Sequence, residues 1–141
     1  MEGVNEVLDA IGALVSSLKT YSAKLPSVVH LAAVPGGVKP LPEAIVVYEK
    51  TVYRFRDQSA GSTYRRLTDH FIESLESFET GDLLSAIQPL LTVLDHLERM
   101  HRDKEIGASS KDAERMKEYR LALHKIMPGS KPELAGAGKG L

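Results

Sequence analysis

The chain has 141 residues, a formal net charge of −1 and no cysteine. This length suits one domain with its own hydrophobic core. The lack of cysteine excludes disulfides, thiolate nucleophiles and cysteine-bound zinc. A net charge near zero gives no overall attraction to nucleic acid or to an anionic membrane surface.

We expect neither a membrane-spanning segment nor export. No apolar run approaches the roughly 20 residues that span a bilayer. Two acidic residues, Glu2 and Glu6, lie near the start of the sequence, where a secretory signal would carry lysine or arginine. We therefore expect a cytoplasmic protein that needs no membrane.

The first predicted helix runs from Val4 towards Pro26, which ends or kinks it. Its apolar residues recur at alternating spacings of four and three, the pattern of one buried helix face: Val4, Leu8, Ile11, Val15 and Leu18. A short helical segment is expected at 27–34. The stretch 34–40, rich in proline and glycine, is expected to be a loop.

The second and third helices show the same periodicity. The second begins near Pro42, because proline fits the first helical turn, and buries Ile45, Tyr48, Val52 and Phe55. The third is capped by Ser62 or Thr63 and buries Tyr64, Leu67, Phe71, Leu75 and Phe78.

A tight reversal leads into the fourth helix, with Gly81 adopting a positive φ and Asp82 capping the new helix. Pro89 predicts a kink or a restart in this helix. Its buried face is wide: Leu83, Leu84, Ile87, Leu90, Leu91, Leu94 and Leu97. Ser109 or Ser110 caps a fifth helix, whose narrower apolar stripe indicates shallower burial.

These patterns together predict an all-α fold. We expect an antiparallel bundle of four to five helices over residues 1–128, with a flexible, disordered tail at 129–141 that is rich in glycine and poor in apolar residues. No segment shows the sustained period-two alternation of a strand.

Four arginines bracket the turn between the second and third helices and are candidates for anion binding. If the turn is tight, their guanidinium groups converge near the N-terminus of the third helix, an end that itself attracts anions. The four residues are Arg54, Arg56, Arg65 and Arg66. Ion pairing of two of them with Asp57 and Asp69 is the alternative interpretation.

Arg65 is followed, after four residues, by His70. This spacing resembles the motif of HEPN-type helical ribonucleases, which work without metal. The resemblance would imply that Arg65 holds the scissile phosphate and that His70 takes part in proton transfer. The position after the arginine is a second arginine, Arg66, where that family favours a polar residue.

Glu98 and His101 share one helix face, as do the metal ligands of di-iron helical bundles. Such centres need two copies of this motif and two further glutamates, and the sequence has one copy. We therefore predict no metal and no cofactor, with Glu98 and His101 as weak candidates. His96, isolated in the sequence beside the apolar stripe of the fourth helix, is interpreted as a packed or surface residue and not as a ligand.

The sequence favours a non-enzymatic protein-interaction module, such as an adaptor, a chaperone-like protein or a small structural protein. An apolar groove or helix face would receive a protein partner or a second copy of the chain. Two alternatives stay open: metal-independent ribonuclease activity, and anion or nucleic-acid binding through the four arginines.

Overall fold

The computed structural model describes residues 3–23 and 39–127, and every regular element in these two ranges is a helix. These two ranges contain one 3-10 helix, at Thr63–Leu67, and five α-helices: α1 (Val4–Ala23), α2 (Pro42–Ser59), α3 (Thr68–Glu79), α4 (Leu83–Arg102) and α5 (Ser110–Ile126). The predicted segment at 27–34 and the predicted tail at 129–141 lie outside the described residues. None of the five α-helices has the length and apolar character needed to cross a bilayer.

The predicted apolar stripes form the core. The five residues predicted for the buried face of α1 are all buried, as are the predicted residues of the third helix and most of those of α4. In α2, Ile45 is only partly buried. Leu84 is 40% exposed on the outer side of α4, so the prediction that it widens the buried face is wrong. α5 buries only Met116 and Leu123, which confirms its shallow packing.

α1 packs against α2, α4 and α5, and α3 packs against α2 and, most extensively, against α4. The short turn at 80–82 folds α4 back onto α3. Gly81 has a φ of 81° in this turn, and Asp82 accepts a hydrogen bond from the backbone N–H of Ser85 at 3.1 Å. Both features were predicted, and they fix which residues of α3 and α4 face each other.

Two helix boundaries differ from the prediction. Ser62 caps a 3-10 helix, accepting a hydrogen bond from the Tyr64 N–H at 3.1 Å, and the α-helical geometry of α3 begins only at Thr68. α4 continues through Pro89 as a single helix, without the restart that the proline suggested. Ser109 forms a reciprocal capping box with Asp112 at the start of α5.

Aromatic residues join α1, α2 and α3 at one end of the core. The ring of Tyr48 stacks on Phe78 with centroids 4.3 Å apart, and Tyr21 meets the edge of the same ring at 5.6 Å. The Tyr21 hydroxyl donates a hydrogen bond to the Gly81 carbonyl at 3.0 Å. These contacts hold the start of the α3–α4 reversal against α1 and α2.

Candidate functional site

The structure places two of the four predicted arginines in ion pairs. Arg56 pairs with Asp57 at 3.1 Å, as the alternative interpretation expected, and its guanidinium lies over the Tyr53 ring, 4.6 Å from the centroid. Arg66 pairs with Glu105, which lies just beyond α4, instead of with Asp69.

Arg54 and Arg65 are exposed, and neither makes an ion pair within 3–23 and 39–127. The unpaired positive charge of the predicted cluster is therefore smaller than the sequence suggested. Arg66 also donates to the Thr63 hydroxyl at 3.0 Å, which ties it to the 3-10 helix.

His70 does not meet Arg65 in any hydrogen bond or ring contact of the described part of the chain. It lies instead against His96 of α4, and the two imidazole rings are stacked with centroids 5.2 Å apart and an interplanar angle of 28°. The Nδ1 atom of His70 is 3.8 Å from the Glu73 carboxylate. We call His70 and His96 the histidine pair.

The surroundings of His96 disfavour its positively charged form. Burial lowers the pKa of His96 most, and the neighbouring His70, Arg99 and Arg66 lower it further. The Asp95 carboxylate raises the pKa of His96, but its influence is smaller than the combined influence of burial, His70 and the two arginines. His96 therefore tends to be neutral near pH 7, with one N–H donor and one acceptor nitrogen.

A cleft of about 360 Å³ opens between α3 and α4 beside the histidine pair. All of its lining residues except Pro89 have polar side chains: His70, Glu73 and Ser77 from α3, and Ser85, Gln88, Pro89 and Thr92 from α4. Residues at successive turns of each helix point into it because α3 and α4 fold back along each other. This volume lies at the lower end of the range for small-molecule sites.

Of the two candidate metal ligands, Glu98 makes an ion pair and His101 is exposed. Glu98 and Asp95 both hold Arg120 of α5, at 3.1 Å and 2.9 Å, and His101 is exposed at the end of α4. In residues 3–23 and 39–127, no group of three or more histidine, aspartate or glutamate side chains is placed to hold a metal ion.

The histidine pair was missed because His96 looks isolated in the sequence. A signal was nevertheless present. Folding the chain back at the predicted Gly81–Asp82 reversal brings His70 opposite the region of Thr92 to His96. No family model, curated protein or solved structure matches this chain.

A second surface lies on the side of α2 that faces away from the core. Val46 and Val47 are 46% and 54% exposed there, with Glu43 and Lys50 exposed on the same side of the helix. Neither charged residue makes an ion pair within the described ranges. We call these four residues the α2 outer face.

Proposed function

We propose that this chain is a protein-interaction module that associates with a second copy of itself through the α2 outer face. The carrying observation is the exposure of the adjacent Val46 and Val47 on a helix whose other side is in the core. Burying two valines against a partner removes apolar surface from water, which stabilises association.

The charges beside the valines favour a second copy as the partner. Suppose that α2 pairs with its copy in antiparallel orientation, centred between Val46 and Val47. Val46 of each copy then faces Val47 of the other copy. The same register brings Glu43 of one copy opposite Lys50 of the other, twice. Such a face is self-complementary, as a two-fold interface requires.

This contact is short. It covers about two helical turns, which is less than the surface of a standard stable interface. We therefore expect weak, concentration-dependent dimerisation in the micromolar range or above. The proposal also takes the five helices as an antiparallel bundle in which α2 is an outer element.

Sedimentation equilibrium of the full chain, from about 10 μM to 1 mM, tests this proposal. Replacing both valines by glutamate should abolish dimerisation. The matched control is Leu121→Glu on α5, since Leu121 is 59% exposed but lies outside the α2 outer face. That variant should dimerise like the wild type.

A charge exchange tests the register. Glu43→Lys and Lys50→Glu should each weaken dimerisation, because each sets like charges opposite one another. The variant carrying both changes should recover it, since the two pairs are then exchanged and remain opposite in sign. A chain that stays monomeric throughout, or a double variant that does not recover, contradicts the proposal.

A further inference from the structure

α5 contributes less to the core than any other α-helix of the described residues. It buries only Met116 and Leu123, whereas α1 buries eight residues and α4 buries nine. Its main contacts are with α1 and α4, so moving α5 away leaves the packing among the other four helices in place. An element with few buried apolar side chains opens at a lower free energy than the whole domain unfolds.

Two arginines fasten α5 to its neighbours. Arg115 lies 2.7 Å from Asp9 of α1, and Arg120 lies 2.9 Å from Asp95 and 3.1 Å from Glu98, both on α4. The side chains of the three acids are 48% to 70% exposed. Dissolved ions therefore reach these acids and weaken the ion pairs as the ionic strength rises.

α5 covers an apolar strip of α1. Gly12 of α1 lies against the Tyr119 ring of α5, with no room for a Cβ between them. Leu8 and Val15 lie four residues before and three residues after Gly12, on the side of α1 that turns from α5 towards the core. Both are buried. They would meet water whenever α5 moves away.

The connection from α4 to α5 offers a hinge at Gly107. On one side of it, Glu105 is held by Arg66 of the 3-10 helix. On the other side, the capping box of Ser109 and Asp112 belongs to α5 and would move with it. A Cβ at Gly107 would meet no atom within 4 Å beyond its chain neighbours. The backbone can therefore turn at this point without displacing a packed group.

We propose that α5 is a hinged lid that its two arginines hold shut and that opens as one unit when the ionic strength rises. Opening turns α5 about Gly107, separates Arg115 and Arg120 from their acids and exposes the apolar strip of α1. The closed form still dominates at low salt, because Met116 and Leu123 leave water on closing. The lid does not include the α2 outer face, so this inference is independent of the proposed dimerisation.

Native-state hydrogen exchange of the full chain, followed by NMR, tests the lid. Relative to their intrinsic rates, the protected amides of α5 should share one exchange rate, about tenfold or more above that of the slowest amides of α3. Raising the salt from about 0.02 M to about 0.5 M should increase the ratio of α5 exchange to α3 exchange about threefold or more.

A variant with a matched control tests the role of the ion pairs. Arg120→Gln should speed the exchange of α5 about fivefold and reduce its response to salt, because it removes the contacts with both acids of α4. Lys117→Gln removes the same charge from an exposed position of α5. Lys117 makes no ion pair among the described residues, so this control should exchange as the wild type does.

Thiol labelling gives a second measure of opening, because the chain has no cysteine of its own. Met116→Cys places a thiol beneath the lid, and Leu75→Cys places one in the core on α3, where the native side chain is also buried. The thiol at position 116 should react about tenfold faster or more, and faster again in high salt.

Two results would overturn the proposal. The first is exchange of the α5 amides at the same rate as the slowest amides of α3, which would mean that α5 leaves only when the whole domain unfolds. The second is α5 exchange that responds neither to salt nor to Arg120→Gln. Both are read from hydrogen exchange, so the test stays decisive even if a cysteine variant fails to fold.

Discussion

The hydroxyl of Tyr48 on α2 makes a buried hydrogen bond with the hydroxyl of Ser74 on α3. Ser74 in turn donates to the Ala86 carbonyl of α4 at 2.7 Å, so Tyr48 is the donor of the first bond. Both residues are fully buried. Burial strongly raises the pKa of Tyr48, an effect that the Ser74 bond reduces, so the phenol stays protonated. The chain of hydroxyls joins three helices.

Ser74→Ala should lower the free energy of unfolding by about 1–3 kcal/mol, since it leaves the Tyr48 hydroxyl buried without its partner. Tyr48→Phe should cost less, because Ser74 keeps its bond to Ala86. Urea denaturation of both variants and of the double variant measures the difference. If Tyr48→Phe costs more than Ser74→Ala, the assigned donor order is wrong.

Gly12 of α1 lies directly under Tyr119 of α5. A Cβ at Gly12 would be 2.5 Å from the Tyr119 hydroxyl, which accepts a hydrogen bond from Arg115 at 2.9 Å. Arg115 also donates to Asp9 of α1 at 2.7 Å. Glycine is therefore what lets α5 approach α1 at this position.

Gly12→Ala should leave the free energy of unfolding nearly unchanged, since the loss of the bond between Tyr119 and Arg115, about 1 kcal/mol, offsets the similar gain from the better helix propensity of alanine. In a Tyr119→Ala background the same change should instead stabilise by about 1 kcal/mol, because alanine is the better helix former. Thermal or urea unfolding of the four proteins gives the coupling. Equal effects in both backgrounds would contradict the contact.

The sequence predicted the helices better than the contacts between their polar residues. Leu8, Ile11 and Leu90 lie on stripes whose periodicity alone places them in the core, and each is fully buried. The pairing of Arg66 with Glu105 joins residues 39 positions apart. It depends on how the 3-10 helix meets the end of α4, which no local pattern encodes. The prediction that Leu84 is buried was wrong because α4 carries more leucines than its buried face holds, and Leu84 lies outside that face.

The low pKa of His96 predicts a stability that depends on pH. Its folded-state pKa lies below the unfolded value of about 6.5, so unfolded chains bind more protons as the pH falls. The stability that neutral His96 contributes to the fold is fully present above the pKa of the unfolded state. It is lost as the pH falls through the pKa of the folded state. We expect the urea midpoint to decrease from pH 7.5 to pH 5 in phosphate-free buffer.

His96→Gln should flatten this decrease, because burial, His70, Arg99 and Arg66 then no longer oppose a protonation at that position, and Asp95 no longer favours it. A wild-type midpoint that is constant over this range, or a His96→Gln slope as steep as that of the wild type, would show that His96 is not the cause.

Lys104 lies in the turn just after α4 and has a φ of 63°, a left-handed conformation that costs a residue with a side chain about 1 kcal/mol or more. The N–H of Lys104 donates to the His101 carbonyl at 3.1 Å, and the N–H of Glu105 donates to Met100 at 2.8 Å. These two bonds form a Schellman motif, in which this position is usually glycine.

Lys104→Gly should therefore raise the free energy of unfolding by about 1 kcal/mol, as measured by urea denaturation. Lys104→Ala is the control and should give no gain, since alanine keeps the Cβ that strains this backbone. A gain in both variants would place the effect in the lost lysine charge instead.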